Sequence, residues 1–257
     1  MRDTGLQEAI RAAGSVSELA RRLGIAQPSL SGWDRVPAER VLAVESATGV
    51  KRCVLRPDLF AATVETPIDE VDGARAREYA LLSALLARAP DAALLARLAK
   101  LRGDASALGA AHIGLAEAAA ATSSERVERE YFDLFIGVGR GELLPYGSFY
   151  LTGFLHDRPL ARLRDDLQPL GIARAAGEVE PEDHAAILCE IMSGLISGQF
   201  DAPAGSDRQL FNKHLAPWIG RFFADLERAD AARFYRSVGA LGRTFIDIET
   251  EGFALPE

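Results

Sequence analysis

The sequence predicts an all-α fold in two parts: a small helical head and a larger helical body. Three observations carry this. Apolar residues, mostly Ala and Leu, recur at helical spacing, and few runs alternate at period two. Gly, Pro and capping residues punctuate those runs at helix-sized intervals. Charge is also uneven: residues 1–60 hold nine Lys+Arg against seven Asp+Glu, and residues 61–257 hold 20 against 30. A slightly basic head on an acidic body implies two modules with different partners. The expected organisation is a head over 1–60, a linker over 61–76, a helical body over 77–250 and a tail over 251–257.

At 257 residues, 48% hydrophobic and 26% charged, the chain is long enough and apolar enough to be globular. Its two cysteines, Cys53 and Cys189, stand far apart with no CxxC, so neither a disulfide framework nor a zinc site is expected. The start of the chain reads as an amphipathic segment rather than a signal peptide, and no apolar run reaches about 18 residues. The expectation is a cytoplasmic chain without membrane insertion.

In the head, a helix over 6–13 stops at Gly14. Ser15 caps a second over 16–23, with Glu18 at capping-box spacing. Gly24 turns the chain into a short polar helix over 27–33, and Pro37 opens a fourth helix that Gly49 closes. Leu19, Leu23, Ile25 and Leu30 suit a small core. Residues 16–33 resemble the Cro-type helix-turn-helix of the YdaS-like family, and residues 55–60 resemble its closing motif. The resemblance implies that Gln27, Pro28, Ser29 and Ser31 lie near DNA bases. Asp34 puts negative charge where a phosphate would approach, and the small basic excess is thin for nucleic acid. DNA binding and a scaffold kept for protein contact therefore both remain open.

Residues 61–75, with Pro67 and an acidic run, read as linker. In the body, helices are expected over 78–89, 92–101 (capped by Asp91), 104–121, 125–135 (capped by Ser123 or Ser124), 148–155, 160–167 and 182–197. A long tract follows from 208 to about 248, broken near Asp230. The stretch Glu180-Pro181-Glu182-Asp183-His184 reads as the entrance of the 182–197 helix, its acids complementing the positive end of the dipole. Gly137, Gly139 and Gly141 could approach a phosphate, but no lysine of the Walker type follows and no strand precedes. His214 and Trp218 share a helical face. No cofactor, metal or catalytic constellation is expected: HExxH and Gly-x-Ser-x-Gly are absent, and Cys189 lies mid-helix on an apolar background.

Several ordered blocks carry a second resemblance, over about residues 77–249. They are Glu-Tyr-x-x-Leu-Phe at 130–135, Leu-Pro-Tyr-x-Ser-x-Tyr at 144–150, and 180–184 followed by Glu190 and Met192. Phe211, His214, Leu215, Trp218, Phe234 and Tyr235 complete the pattern. Together they resemble the TorD/DmsD family of molybdoenzyme chaperones. Residues 144–155 and 159–164 look most like the branch associated with formate dehydrogenase. The resemblance implies a non-enzymatic chaperone whose partners are a client molybdoenzyme and its twin-arginine signal peptide, with a homodimer possible through helix exchange. Glu182 and Asp183 would pair with arginine beside His184. Tyr131, Phe135, Tyr146, Phe149, Tyr150 and Met192 would line an apolar groove. The alternative is a transcriptional regulator that binds DNA through the head and uses the body as sensor or dimerisation unit.

Overall fold

The computed structural model describes residues 3–60, 69–174 and 180–255. These are helices, turns and loops with no strand; Tyr146 and His184 form one isolated antiparallel bridge. The chain separates into two compact units, Met1–Pro67 and Ile68–Glu257.

The first unit contains α1 (Thr4–Ala13), α2 (Val16–Arg22), α3 (Gln27–Ser31), α4 (Val41–Thr48) and α5 (Arg52–Leu55). Asp3 caps α1 through the Leu6 amide, and Ser15 caps α2 through the Glu18 amide at 3.1 Å. The Glu18 carboxylate is turned toward Arg21 and Arg22. Leu6, Leu19, Leu30, Val36, Val41, Val44 and Leu55 form the core, with Leu23 and Ile25 packed at its edge. The closing motif has a mechanical role. Arg56 is buried, donates to the Val36 carbonyl at 2.8 Å and pairs with Asp58, tying the end of the unit to the loop before α4.

The second unit holds α6 (Glu70–Ala87), α7 (Ala92–Leu98), α8 (Ala107–Ala120), α9 (Ser124–Tyr131), α10 (Gly147–Thr152) and α11 (Arg158–Leu167). It continues with α12 (Ala185–Ile196), α13 (Ser206–Leu210), α14 (Ile219–Arg228) and α15 (Phe234–Ala254). α12 packs along α6, and α15 packs on α14 and α8. Gly239 permits the α15 backbone to approach that of α14: a Cβ there would stand 2.6 Å from the Glu227 backbone nitrogen. Trp218, Tyr79, Tyr235, Phe211, Phe222 and Phe223 are the largest enclosed side chains. Cys189 is fully buried on α12, and desolvation pushes its thiol up to about 12.

Helices begin and end close to the expected positions where a cap or glycine marks them. Asp91 caps α7 through the Leu94 amide at 2.7 Å. Three differences have physical causes. α6 begins at Glu70, inside the stretch assigned to the linker, because Asp69 caps it by accepting from the Val71 amide and Glu70 and Asp72 favour the first turn. The helix expected to run through Phe135 widens into a π-turn over Phe132–Ile136, closed by the Gly137 amide on the Phe132 carbonyl. The long C-terminal tract breaks near Asp230 as expected, between α14 and α15, but is also interrupted by a second π-turn over Phe211–Leu215; the expected break has its own anchor.

The break between α14 and α15 is held by an acid from far upstream. Buried Glu130 accepts from the amides of Arg233, Phe234 and Tyr235, at 2.7, 3.1 and 2.7 Å. A carboxylate with three amide donors at a helix start satisfies groups that would otherwise be orphaned.

Candidate functional site

The expected helix entrance over 182–197 starts three residues later than expected. His184 is the N-cap of α12, accepting from the Ala186 amide on Nδ1 at 3.1 Å. Glu182 and Asp183 therefore precede the helix. Backbone bonds pin this segment: the His184 amide closes a turn on the Pro181 carbonyl at 3.0 Å, the Ala185 amide donates to the Pro145 carbonyl at 2.8 Å, and the Gly147 amide to the Asp183 carbonyl at 2.9 Å. Asp183 consequently serves a different helix. Its Oδ2 accepts from the Ser148 amide at 2.7 Å, at the start of α10.

Asp183 is 3% exposed and Ser148 is fully buried. Asp183 Oδ1 and Ser148 Oγ are buried without a hydrogen-bond partner, a cost that most buried polar groups avoid. Asp183 also lines a cavity of about 680 Å³. Its wall combines apolar Leu151, Leu163 and Leu188 with the polar side chains of Asp166, Lys213 and His214. His214 Nε2 lies 2.8 Å from Asp166 Oδ2, and Lys213 Nζ approaches the same carboxylate. These partners hold the Asp166 carboxyl below its ordinary range, His214 contributing most.

The aromatic residues divide into two groups. Tyr146 meets His184 edge-on at 5.0 Å between ring centroids, and its hydroxyl donates to Glu180 at 2.6 Å. Burial, then the Glu180 carboxylate, raise the Tyr146 pKa. On α10, Tyr150 rests on Trp218 and Phe222 and donates to Asp225, while Phe149 lies under the Arg140 guanidinium. Gly147 gives Trp218 its room, because a Cβ there would come to 3.0 Å from the indole nitrogen. Thus Asp183, His184, Tyr146, Phe149 and Tyr150 lie on one pinned mouth or on the helix it opens.

Tyr131 and Phe135 instead stack with Tyr235, and Tyr131 donates to the Leu86 carbonyl. They pack against the core. Met192 corrects the sequence expectation outright: it is fully buried on the inner side of α12 and does not line a groove, because the apolar stripe of that helix faces α6. Trp218 is core, whereas His214 reaches the cavity. Gly137 and Gly141 are explained by the tight return of their loop against Arg140 and Phe135.

Sequence reasoning missed Ser148, the α11 wall and Arg164, which binds Glu182. Ser148 carried a signal, since it sits inside the 144–150 block. Its partner Asp183 lies 35 residues further on, and nothing local marks that pairing.

In the first unit, Gln27, Pro28, Ser29 and Ser31 are exposed on α3 above buried Leu30. Gln27 Nε2 donates to Ser31 Oγ at 3.3 Å. Among the described residues, no group of three or more His, Cys, Asp or Glu could hold a metal ion, and no helix is long and apolar enough to cross a membrane.

Fold and site together define an all-helical protein with a buried acid fixed at a helix mouth beside a mixed apolar and charged cavity. Residues 101–224 match the family model described as nitrate reductase delta subunit, and residues 6–64 match the one described as bacterial toxin YdaS. The chain is 30% identical over 135 residues to the chaperone protein TorD of Aliivibrio fischeri, covering 49% of this chain and 63% of that protein. With TorD of Vibrio cholerae O395 it shares 28% over 126 residues, covering 46% and 57%. The chain thus spans less than two thirds of these curated relatives. A crystal structure from Archaeoglobus fulgidus, described as a candidate redox enzyme maturation protein, aligns with a TM-score of 0.45 and 19% identity, over 67% of this chain and 93% of that one.

Proposed function

We propose that the second unit is a molybdoenzyme maturation chaperone of the TorD kind, which binds an arginine-bearing signal peptide of its client at the mouth formed by residues 180–184 and α10. The observation that carries this reading is the buried carboxylate of Asp183, a residue of the cavity wall, with one oxygen fixed on the Ser148 amide and the other enclosed without a hydrogen-bond partner. An arginine fork reaching that oxygen would supply the missing donor. His184, Tyr146 and Tyr150 hold the mouth and its aromatic flank, and the acidic excess of the chain favours a basic ligand. The similarity to TorD over part of the chain agrees with this assignment. The wording of residues 144–155 and 159–164 favours a formate dehydrogenase as client, and a cytoplasmic site of action follows from a ligand that is met before export. The chemistry is binding rather than catalysis.

Calorimetric titration with a synthetic twin-arginine signal peptide tests the proposal. Wild type is expected to bind, and absence of binding at low salt would overturn it. Asp183→Asn keeps an acceptor for the Ser148 amide and removes the charge. It is expected to leave the melting temperature nearly unchanged and to weaken binding about tenfold or more, as loss of a charged hydrogen bond does. An unaltered affinity would make Asp183 a cap for α10 alone.

A second reading concerns the first unit. The exposure of Gln27, Pro28, Ser29 and Ser31 over the buried Leu30 favours a DNA-contacting face on α3. A mobility-shift assay on the DNA upstream of its own coding sequence is expected to give a specific complex. Equal retention of unrelated DNA would count against it.

A further inference from the structure

Glu182 is an acid already holding a guanidinium. Arg164, on α11, donates to its Oε2 from Nε at 2.9 Å and from Nη2 at 2.7 Å. The two partners are unequally built in: the Glu182 side chain is 14% exposed, and that of Arg164 is 50%. The carboxylate is fixed because its neighbours Asp183 and His184 are tied to α10, Pro145 and the start of α12. The arginine is a long side chain lying over it from the solvent side. Glu182 lines two open cavities. One, of about 390 Å³, includes Arg164 and Arg174; the other, of about 320 Å³, is walled by Ile187, Ile191 and Phe200. The two openings share Leu167, Ile172, Arg174 and Glu182, so the acid sits beside a largely apolar surface, the surroundings that a basic residue followed by an apolar segment requires.

We propose that Glu182 is a second guanidinium seat, separate from Asp183, and that Arg164 is its internal occupant, which must leave when a ligand arginine arrives. This rests on the peptide-binding reading above and adds to it a competition built into the free chain. An exposed ion pair holds its partners weakly, so the exchange is open to a ligand already anchored at Asp183. Only the fraction of molecules with Arg164 displaced can bind at this seat, and the apparent affinity is reduced by that fraction.

The test uses the full chain and a signal peptide carrying two adjacent arginines before an apolar run. Arg164→Gln is expected to bind the peptide about two- to fivefold more tightly than wild type, the margin that an exposed ion pair supports. In a Glu182→Gln background the same change should give no gain, because there is no seat to vacate. That comparison also removes the general effect of deleting one positive charge, which would persist in both backgrounds. If wild type binds the peptide but Arg164→Gln binds equally or less tightly, Arg164 is a brace for residues 180–184 and the inference is overturned. An equal gain in both backgrounds overturns it too, as a long-range charge effect. If wild type does not bind at all, the chaperone reading falls and this inference with it.

Discussion

At the scale of single residues, the acids of this chain divide by what they hold. Glu130 and Asp183 hold helix starts, Glu182 holds an arginine, and Glu78 holds His112, whose Nε2 lies 3.0 Å away. The Glu78 contact, set against partial burial, raises the His112 pKa above the ordinary 6.5. A histidine whose folded value is raised stabilises the fold fully below the unfolded value, and loses that contribution as pH rises through the folded one. His112→Gln should therefore lower the melting temperature most below about pH 6.5. The gap to wild type should close as pH climbs past the raised folded value. A gap independent of pH would mean that the pair stabilises through packing.

At the scale of elements, what was legible in the sequence were the signals that act within a few residues. Ser15, Gly24, Asp91 and Gly49 marked helix boundaries because a cap or a left-handed glycine needs only its own turn. Illegible were the caps supplied from a distance. Glu130 starts α15 from about a hundred residues upstream, and Asp183 starts α10 from 35 residues downstream. Read locally, the acids at 180–184 fitted the dipole of the helix that follows them. In space Asp183 serves α10, Glu182 pairs with Arg164 and Glu180 accepts from Tyr146. The π-turn at Phe132–Ile136 was hidden for a similar reason: its extra residue is accommodated by the loop that folds back against Phe135, not by its own composition. The block at 130–135 combines a cap, Glu130, with two core-packed rings, Tyr131 and Phe135, so its residues hold architecture.

At the scale of the whole molecule, two compact units each enclose their own apolar core. The site proposed for peptide belongs wholly to the second, and the surface proposed for DNA wholly to the first. Asp183 and Ser148 keep buried polar atoms without partners, an expense that a fold selected for stability alone would remove with an apolar pair.

The burial of Cys189 has a practical consequence. Its thiol is enclosed and strongly disfavoured as thiolate, the form that alkylating reagents attack, whereas Cys53 is partly accessible. The sequence contains no other cysteine, and one falls in each unit. Under rising denaturant, a maleimide is expected to label Cys53 with the opening of the head, and Cys189 only when the helices of the body open. Mass spectrometry of the two peptides reads them separately. Labelling of Cys189 at the native rate of Cys53 would show that α12 is not closed. The wild-type chain thus carries two chemical clocks, one per unit, with no engineered probe.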